Sequence, residues 1–513
     1  MWSKSKLIIC IIAAAFFLGF LPSLIDLFQA GGSFAEIFAE IRVLINRYFF
    51  QLVAIYALVV AFVLFLEGQN PDRTLLWLIA LVFLPVIGVV IYMIIGPDPS
   101  AYKRKREYKK PREEFIRSCD KETCAGSSYT AKLLYSVAEA PVLRKNRVKP
   151  LIDGDETFPE LLRALRGAEK YINLQYFIIN NDEIGREVQQ ILIDAAKRGV
   201  KVRVLYDAIG SWSLDKKYTD TLEDAGIECY SFSPVSFARF RRKMNYRNHR
   251  KIVVVDGRVA FTGGLNVGDE YLGKGPLGYW RDTHVKVEGE AVDALNRIFI
   301  DDWCFRTDED KKVLYRELRG LEETHDFSDL PDTPLQVVSS GIFTPWHTIS
   351  MGYCNIINRA EKRVWMATPY FVPGKTIIDA LISSAMSGID VRLIVPREKD
   401  HFVVHWATRS QFERLLLAGV RVFFYEKGFL HSKTILSDDT VSSIGTCNMD
   451  VRSLEINFEN QIFFYDRELN KKAAEQFEKD MKECTEFRAE EWLKRPIHHK
   501  ILEAFGKLYS AQI

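Results

Sequence analysis

The sequence predicts an α/β protein, two pseudo-symmetric α/β halves packed together and preceded by an all-helical transmembrane segment. Three observations carry that expectation. Long apolar runs fill the first hundred residues and are missing from the remaining four hundred. The rest of the chain contains an internal repeat. One short polar motif closes each copy, with the same spacing between its members.

The 513 residues leave room for roughly three folding units. Lys and Arg number 69 against 67 Asp and Glu, so the formal charge of +2 argues against a globally basic nucleic-acid coat or an acidic disordered tail. Eight cysteines are scattered without a C-x2-C pair, which points to reduced thiols facing the cytosol.

Three runs, 7–25, 49–66 and 75–95, are each about as long as the roughly 20 residues that cross a bilayer. Pro22 interrupts the first. Lys103, Arg104, Lys105, Arg106, Lys109, Lys110 and Arg112 follow the third, and the positive-inside rule then places the large C-terminal portion in the cytosol. With three crossings Lys4 and Lys6 would lie outside, against the rule, so the first run could instead be re-entrant. Lys4 and Lys6 also precede an apolar stretch as in a signal peptide, but no clear small-x-small cleavage site follows. The basic run reads equally as a topology signal or as a contact with anionic headgroups.

The segments around Tyr171-Ile172-Asn173-Leu174 and Arg363-Val364-Trp365-Met366 match, as do Gly199 to Leu205 with Gly388 to Ile394, and Ala225-Gly226-Ile227 with Ala418-Gly419-Val420. Each copy reads strand, helix, strand, helix, strand. The expected partition is an anchor at 1–98, a basic juxtamembrane linker at 99–125, a first half at 126–306, a charged linker at 307–334, and a second half at 335–513.

The copies end in His249-x-Lys251-x4-Asp256 and His431-x-Lys433-x4-Asp438, trailed by Gly263 and Asn266 and by Gly445 and Asn448. All five pairs are 182 residues apart. Two chance occurrences are expected in about one chain in a thousand, so the motif is not accidental. On a strand, residues i and i+2 share a face, which sets each histidine beside its lysine. Asp256-Gly257 has the composition of a two-residue hairpin turn, so positions summing to about 513 should pair and Gly264 should lie opposite His249. Folding back around Asp438-Asp439 likewise sets Thr446 opposite His431. Asp256 and Asp438 are therefore motif members that fix turns and carry no proton.

Two histidines, two lysines and two asparagines in one pocket suit phosphodiester chemistry. The ammonium groups, with Asn266 and Asn448 as amide donors, would neutralise the non-bridging oxygens, leaving no job for a divalent ion and no call for a cofactor. One imidazole attacks phosphorus and the other protonates the departing alkoxide. Each also needs an acceptor on its other nitrogen, and Asp282 and Glu459 are the candidates.

The duplicated motif with its trailing Gly and Asn resembles the phospholipase D superfamily over essentially the whole region after the anchor. With Asn70-Pro71-Asp72-Arg73-Thr74, Asn245 to Lys251 and Asn448 to Ser453, it is similar to the bacterial cardiolipin synthases in particular. That resemblance implies a ping-pong transfer in which a phosphatidyl-histidine forms, glycerol leaves and a second phosphatidylglycerol attacks, with His249 as nucleophile and His431 as acid, then base. It also implies a cell-membrane, multi-pass protein with phosphatidylglycerol as substrate and an anionic membrane surface as partner. Two departures stand out: Thr446 where the family has Ser, and an extra apolar first run. Rival readings are a hydrolytic phospholipase D, a membrane-tethered nuclease, for which three apolar runs are an awkward setting, and a non-catalytic lipid-binding scaffold. No nucleic-acid partner is expected, and oligomeric state is not legible.

Of the other histidines, His498 and His499 read as surface residues, and His401 and His405 as core or pocket-wall residues on a helix. The stretch from Phe237 to Lys251 interleaves Arg239, Arg241, Arg242, Lys243 and Arg247 with Phe240, Met244 and Tyr246, as in a loop at a bilayer surface or in solvent, with nucleic-acid binding ranked below both. Ile497, Ile501, Leu502, Phe505, Leu508 and Tyr509 form an apolar helical stripe, expected first to pack on the catalytic body and second to enter an interface.

Overall fold

The computed structural model describes residues 128–232, 246–307, 309–321, 327–341, 344 and 346–509, with 55, 61–62, 71–83 and 88 of the N-terminal hundred. The first expected apolar run, nearly all of the second, about half of the third and the basic run from Lys103 lie outside the described residues, as does most of the stretch from Phe237. A helix, Pro71–Phe83, is described there, opened by a proline in its first turn, where the missing N–H is no loss. No helix among the described residues is long and apolar enough to cross a membrane.

The first half contributes β1 (Leu143–Ile152), β2 (Tyr171–Tyr176), β3 (Lys201–Asp207), β4 (Glu228–Phe232), β5 (Ile252–Val255), β6 (Val259–Gly263), β7 (Tyr279–Arg281) and β8 (Thr283–Gly289). The second contributes β9 (Asp332–Ser340), β10 (Arg363–Ala367), β11 (Phe371–Val372), β12 (Asp390–Pro396), β13 (Arg421–Tyr425), β14 (Gly428–Leu430), β15 (Thr434–Ser437), β16 (Val441–Gly445), β17 (Met449–Asp450), β18 (Glu459–Phe464) and β19 (Cys484–Phe487). From the centre outward the first half runs β1-β8-β6-β5-β2-β3-β4, and the second repeats that order as β9-β18-β16-β15-β10-β12-β13, with β19 added at its edge. Antiparallel pairing of β1 with β9, Leu143 opposite Leu335, joins them into one sheet of fifteen strands.

The strand, helix, strand rhythm follows from the sequence pattern. Helix Glu183–Lys197 buries Ile184, Val188, Ile191, Leu192 and Ala195, while the Asp182 carboxylate accepts a hydrogen bond from the Gly185 amide as its N-cap. Helix Lys375–Met386 buries Ile377, Ile378 and Leu381 in the second copy, with Gly374 as N-cap and no side-chain cap. Each buried aliphatic side chain contributes about 1.5–3 kcal/mol. Gly199 and Gly388 close these helices at φ 91° and 88°, a conformation glycine adopts without steric cost. β2, β3 and β4 are parallel, as are β10, β12 and β13, so the carboxyl ends of each set lie along one edge. Within the stretch between the halves, Lys311–Leu321 is helical, with Leu314 and Leu318 buried.

The motif hairpins differ from expectation by one residue. Val255 pairs with Val259 and Ser437 with Val441, leaving three residues in each loop instead of two. His249 to Lys251 and His431 to Lys433 also precede β5 and β15 rather than lying on them, so Gly264 does not face His249 in a ladder, nor Thr446 face His431. The reason is competition for the backbone: the His249 amide donates to the Phe458 carbonyl at 2.9 Å, and the His431 amide to the Arg281 carbonyl at 2.7 Å, each in the opposite half. Lys251 and Lys433 still reach back to the carbonyls of His249 and His431.

Asp256 and Asp438 sit at positive φ, 56° and 52°, and their carboxylates do the same work. Asp256 accepts from the amides of Glu169, Lys170 and Tyr171 at 2.8–2.9 Å, and Asp438 from those of Glu361, Lys362 and Arg363 at 2.8–3.0 Å. They tie the hairpin loop to the start of β2 or β10. Replacing either by alanine removes three charge-assisted bonds and strains the turn, so Asp256→Ala and Asp438→Ala should each lose about 3 kcal/mol of stability, read as a lowered thermal midpoint.

Candidate active site

Because β5 runs antiparallel to β2, with Ile252 opposite Gln175, the segment entering β5 lies at the carboxyl end of β2. Thr434 opposite Ala367 places the segment entering β15 at the carboxyl end of β10. Carboxyl ends of parallel strands are where α/β sheets hold their ligands. Here both motifs arrive at such an edge.

Each histidine is oriented by the other half. His249 Nδ1 lies 3.0 Å from Glu459 Oε2, and His431 Nδ1 lies 2.7 Å from Asp282 Oδ2. Both carboxylates are fully buried. With Nδ1–H given to a carboxylate, the lone pair of the neutral ring sits on Nε2, the nitrogen left for chemistry. Thr446 Oγ1 donates to the same Glu459 oxygen, and the Thr283 amide donates to Asp282 Oδ1 at 2.7 Å. At the position equivalent to Thr446 stands Gly264, where a Cβ would come 2.0 Å from Asp282 Oδ1. The shorter acid thus goes with the glycine and the longer with the threonine.

Aromatic rings wall both imidazoles. Phe177 meets His249 edge-on at 4.8 Å, while Trp280 and Tyr271 lie 5.3 and 5.6 Å from His431. Behind them, Arg250 bonds Asp302 at 2.5 Å and reaches into the second half through the carbonyls of Glu459 and Ser340, at 3.1 and 2.8 Å. Asp207, the last residue of β3, takes the Arg247 guanidinium and the Asn248 amide. Arg281 holds Asp480 at 2.7 Å and Asp153 at 3.4 Å. Burial works against its charge, but those carboxylates outweigh it and raise its affinity for the proton.

The two asparagines differ. Asn266 accepts from the Ile178 amide at 3.2 Å and donates to the Tyr271 hydroxyl, which leaves one N–H for a ligand. The Asn448 Oδ1 atom is buried without a hydrogen-bond partner.

Electrostatically, two buried lysines face two buried carboxylates, so the pocket is close to neutral before an anion enters. Burial, aided by Lys433 and Lys251, holds the His431 imidazolium well below its usual range. Burial likewise lowers His249, with Glu459 opposing it. Both rings are therefore neutral near pH 7. Burial pulls Lys433 down to about 8 and Lys251 well below its ordinary value, although Asp282 and Glu459 support the charge. An entering phosphodiester adds one negative charge beside all four groups, which raises every one of these affinities and lets one imidazole take up a proton with the substrate.

Sequence reasoning named the side chains of this centre but not its walls and braces: Phe177, Tyr271, Trp280, Arg281, Asp153, Asp207, Asp302 and Asp480. Trp280 and Arg281 stand next to Asp282, which was a usable signal. Asp207 and Asp302 carry none. His401 precedes helix Phe402–Arg409 and is exposed; His405, on that helix, is half-buried in the wall of a small cavity with Tyr370 and Asp400. His498 is exposed, and His499 is half-buried with its ring tilted against Trp406, centroids 5.0 Å apart.

A pocket of two histidines with paired lysines and asparagines, shared between sister halves of one sheet, is that of the phospholipase D superfamily. Residues 161–303 and 353–481 match the family model described as cardiolipin synthase, PLD-like domain, and residues 52–97 match the phospholipase D-nuclease N-terminal family. The chain belongs to the cardiolipin synthase family of that superfamily. It is 40% identical over 470 residues to cardiolipin synthase 2 of Bacillus cereus, covering 88% of this chain and 89% of the relative. Against the cardiolipin synthase of Alkalihalophilus pseudofirmus it is 39% identical over 503 residues, covering 93% and 97%. The fold is also that of phosphatidylserine synthase from Haemophilus influenzae, with a TM-score of 0.57 at 16% identity, covering 75% of this chain and all of that one.

Two outcomes follow. Gly264→Ala should push Asp282 off His431, lower kcat by about 100-fold and lower the thermal midpoint as well; a kcat within about twofold of the parent would exclude the close approach. Since Lys433 loses its proton near pH 8, kcat/KM should fall as pH rises through about 8, and Lys433→Arg should move that limb upward by more than one unit.

Proposed function

We propose that this chain makes cardiolipin, moving a phosphatidyl group from one phosphatidylglycerol to another with release of glycerol. The observation that carries the reading is the crossed pair of carboxylate-held imidazoles, one from each half, beside two buried lysines. His249 Nε2 attacks phosphorus as the P–O bond to the headgroup glycerol breaks, and His431 Nε2–H protonates the leaving alkoxide. His431 then takes the proton of the incoming glycerol hydroxyl, whose oxygen displaces His249. Lys251, Lys433, Asn266 and Asn448 hold the non-bridging oxygens throughout. Asp282 and Glu459 stabilise whichever ring is charged, and Asp256 and Asp438 act on the fold alone.

The relatives of 38–40% identity that are named cardiolipin synthases support the activity, and the matched N-terminal family supports an anchor at 1–98. On this reading the apolar runs are helical spans of the cell membrane, and the basic residues after them keep the catalytic halves, 126–306 and 335–513, on the cytoplasmic side.

Full-length protein reconstituted with labelled phosphatidylglycerol should release glycerol and form cardiolipin in equal amounts; phosphatidic acid as sole product would mean hydrolysis instead. His249→Ala and His431→Ala should each lower turnover at least about 1,000-fold. Rapid quenching should trap an acid-labile adduct on the peptide containing His249, and an adduct on the His431 peptide would reverse the assigned order.

A further inference from the structure

The C-terminal helix Ile497–Tyr509 leaves Ile497, Ile501, Phe505 and Leu508 of its apolar stripe exposed, with Leu502 half-buried. Its inward face is Glu503 and Gly506. Gly506 lies against the backbone of helix Phe402–Arg409, where a Cβ would stand 2.5 Å from the Ala407 nitrogen. Glu503 is pinned between Arg409 and Arg495, at 3.3 and 2.7 Å. That close crossing turns Ile497, Ile501, Phe505 and Leu508 outward, with Ile501 63% and Leu508 73% exposed. The expected packing of this stripe on the catalytic body is thereby corrected: a glycine and a neutralised carboxylate make the contact instead.

The position of the stripe matters. Helix Phe402–Arg409 follows the carboxyl end of β12, and Thr408 on it bonds the Phe371 amide beyond β10, so the outward stripe and the exposed Phe402 border the edge that holds His431. In the first half the loop after β3 is fastened to the same edge. Ser211 bonds the Phe177 carbonyl and the Ile179 amide at 3.0 Å, the Phe177 ring touches His249, and Trp212 projects from that loop 77% exposed. Large apolar side chains on both halves thus flank the mouth of one pocket.

We infer that this carboxyl edge is the surface that docks on the bilayer interface, with helix Ile497–Tyr509 lying in the headgroup layer and Trp212 entering from the other half. The occupant is an anionic phospholipid surface, and charge argues for it. The only carboxylate of the helix is turned inward and paired, while Lys500 and Lys507 are exposed beside the apolar stripe. Buried Glu503 thus leaves no carboxylate on the exposed side of the helix. The inference rests on a lipid substrate for the adjoining pocket, and it explains how a headgroup phosphate reaches histidines that are over nine-tenths buried without the lipid leaving its leaflet.

The test uses full-length protein in vesicles of phosphatidylglycerol and brominated phosphatidylcholine. A fluorophore on Ile501→Cys should be quenched by the brominated chains, whereas one on Lys362→Cys, at the opposite end of β10, should not, each corrected for labelling of the parent cysteines. Equal quenching at both positions, or none at residue 501, overturns the docking surface whatever the enzyme makes. In parallel, Ile501→Ser/Phe505→Ser should lose at least about tenfold in turnover of bilayer phosphatidylglycerol and keep turnover of monomeric short-chain phosphatidylglycerol within twofold. Equal loss on both substrates, or on neither, overturns it. Quenching as expected without any cardiolipin product would instead refute the proposed activity and leave the surface standing.

Discussion

Everything in this molecule depends on a crossed arrangement: each half supplies a histidine and the carboxylate that orients the other half's histidine. The same crossing occurs one level down, where the amide of each histidine donates to the carbonyl next to the opposite carboxylate, that of Phe458 for His249 and that of Arg281 for His431. Neither half alone holds its own imidazole. The candidate site is consequently assembled at the junction between the halves, which the β1–β9 pairing joins at the sheet centre.

Burying four charged groups and two titratable rings in one pocket is expensive unless the charges compensate. Removing a single partner from such a set costs about 3–5 kcal/mol, because an uncompensated charge is left behind. Lys251 and Lys433 against Asp282 and Glu459 make a set that closes, and it is tuned for an anion it has not yet bound. Burial holds both imidazolium forms below their usual range, and the negative charge of a phosphodiester beside them favours a proton on one ring. Substrate entry and protonation are in this sense one event.

Pseudo-symmetry is not identity, and the differences are compensated in pairs. Gly264 accompanies the shorter Asp282, and Thr446 the longer Glu459, so the carboxylates reach their rings from unequal starting points. Arg250, the middle residue of the first motif, pairs with Asp302 of its own half and braces the second half through the carbonyls of Glu459 and Ser340, while its counterpart Ser432 meets the Thr283 hydroxyl at 3.1 Å. A duplicated ancestor would have begun with equal halves. The present chain divides the structural work unevenly while keeping the reacting groups alike.

The sequence by itself determined the two α/β halves, their order of elements and the histidines and lysines that meet between them, because apolar periodicity and an exact repeat offset are local, countable properties. It also pointed to Asp282 and Glu459, through the need of each ring for an acceptor. Tertiary structure alone decided which carboxylate serves which histidine, that the motif residues lie ahead of their strands, and that the last helix turns its apolar stripe outward. Those outcomes depend on which long-range partner wins a backbone amide or a helix face. Phe458 and Arg281 offered the histidines better hydrogen bonds than the adjacent hairpin, and Gly506 allowed a closer helix crossing than any of the leucines or isoleucines could. No spacing in a linear chain encodes that competition.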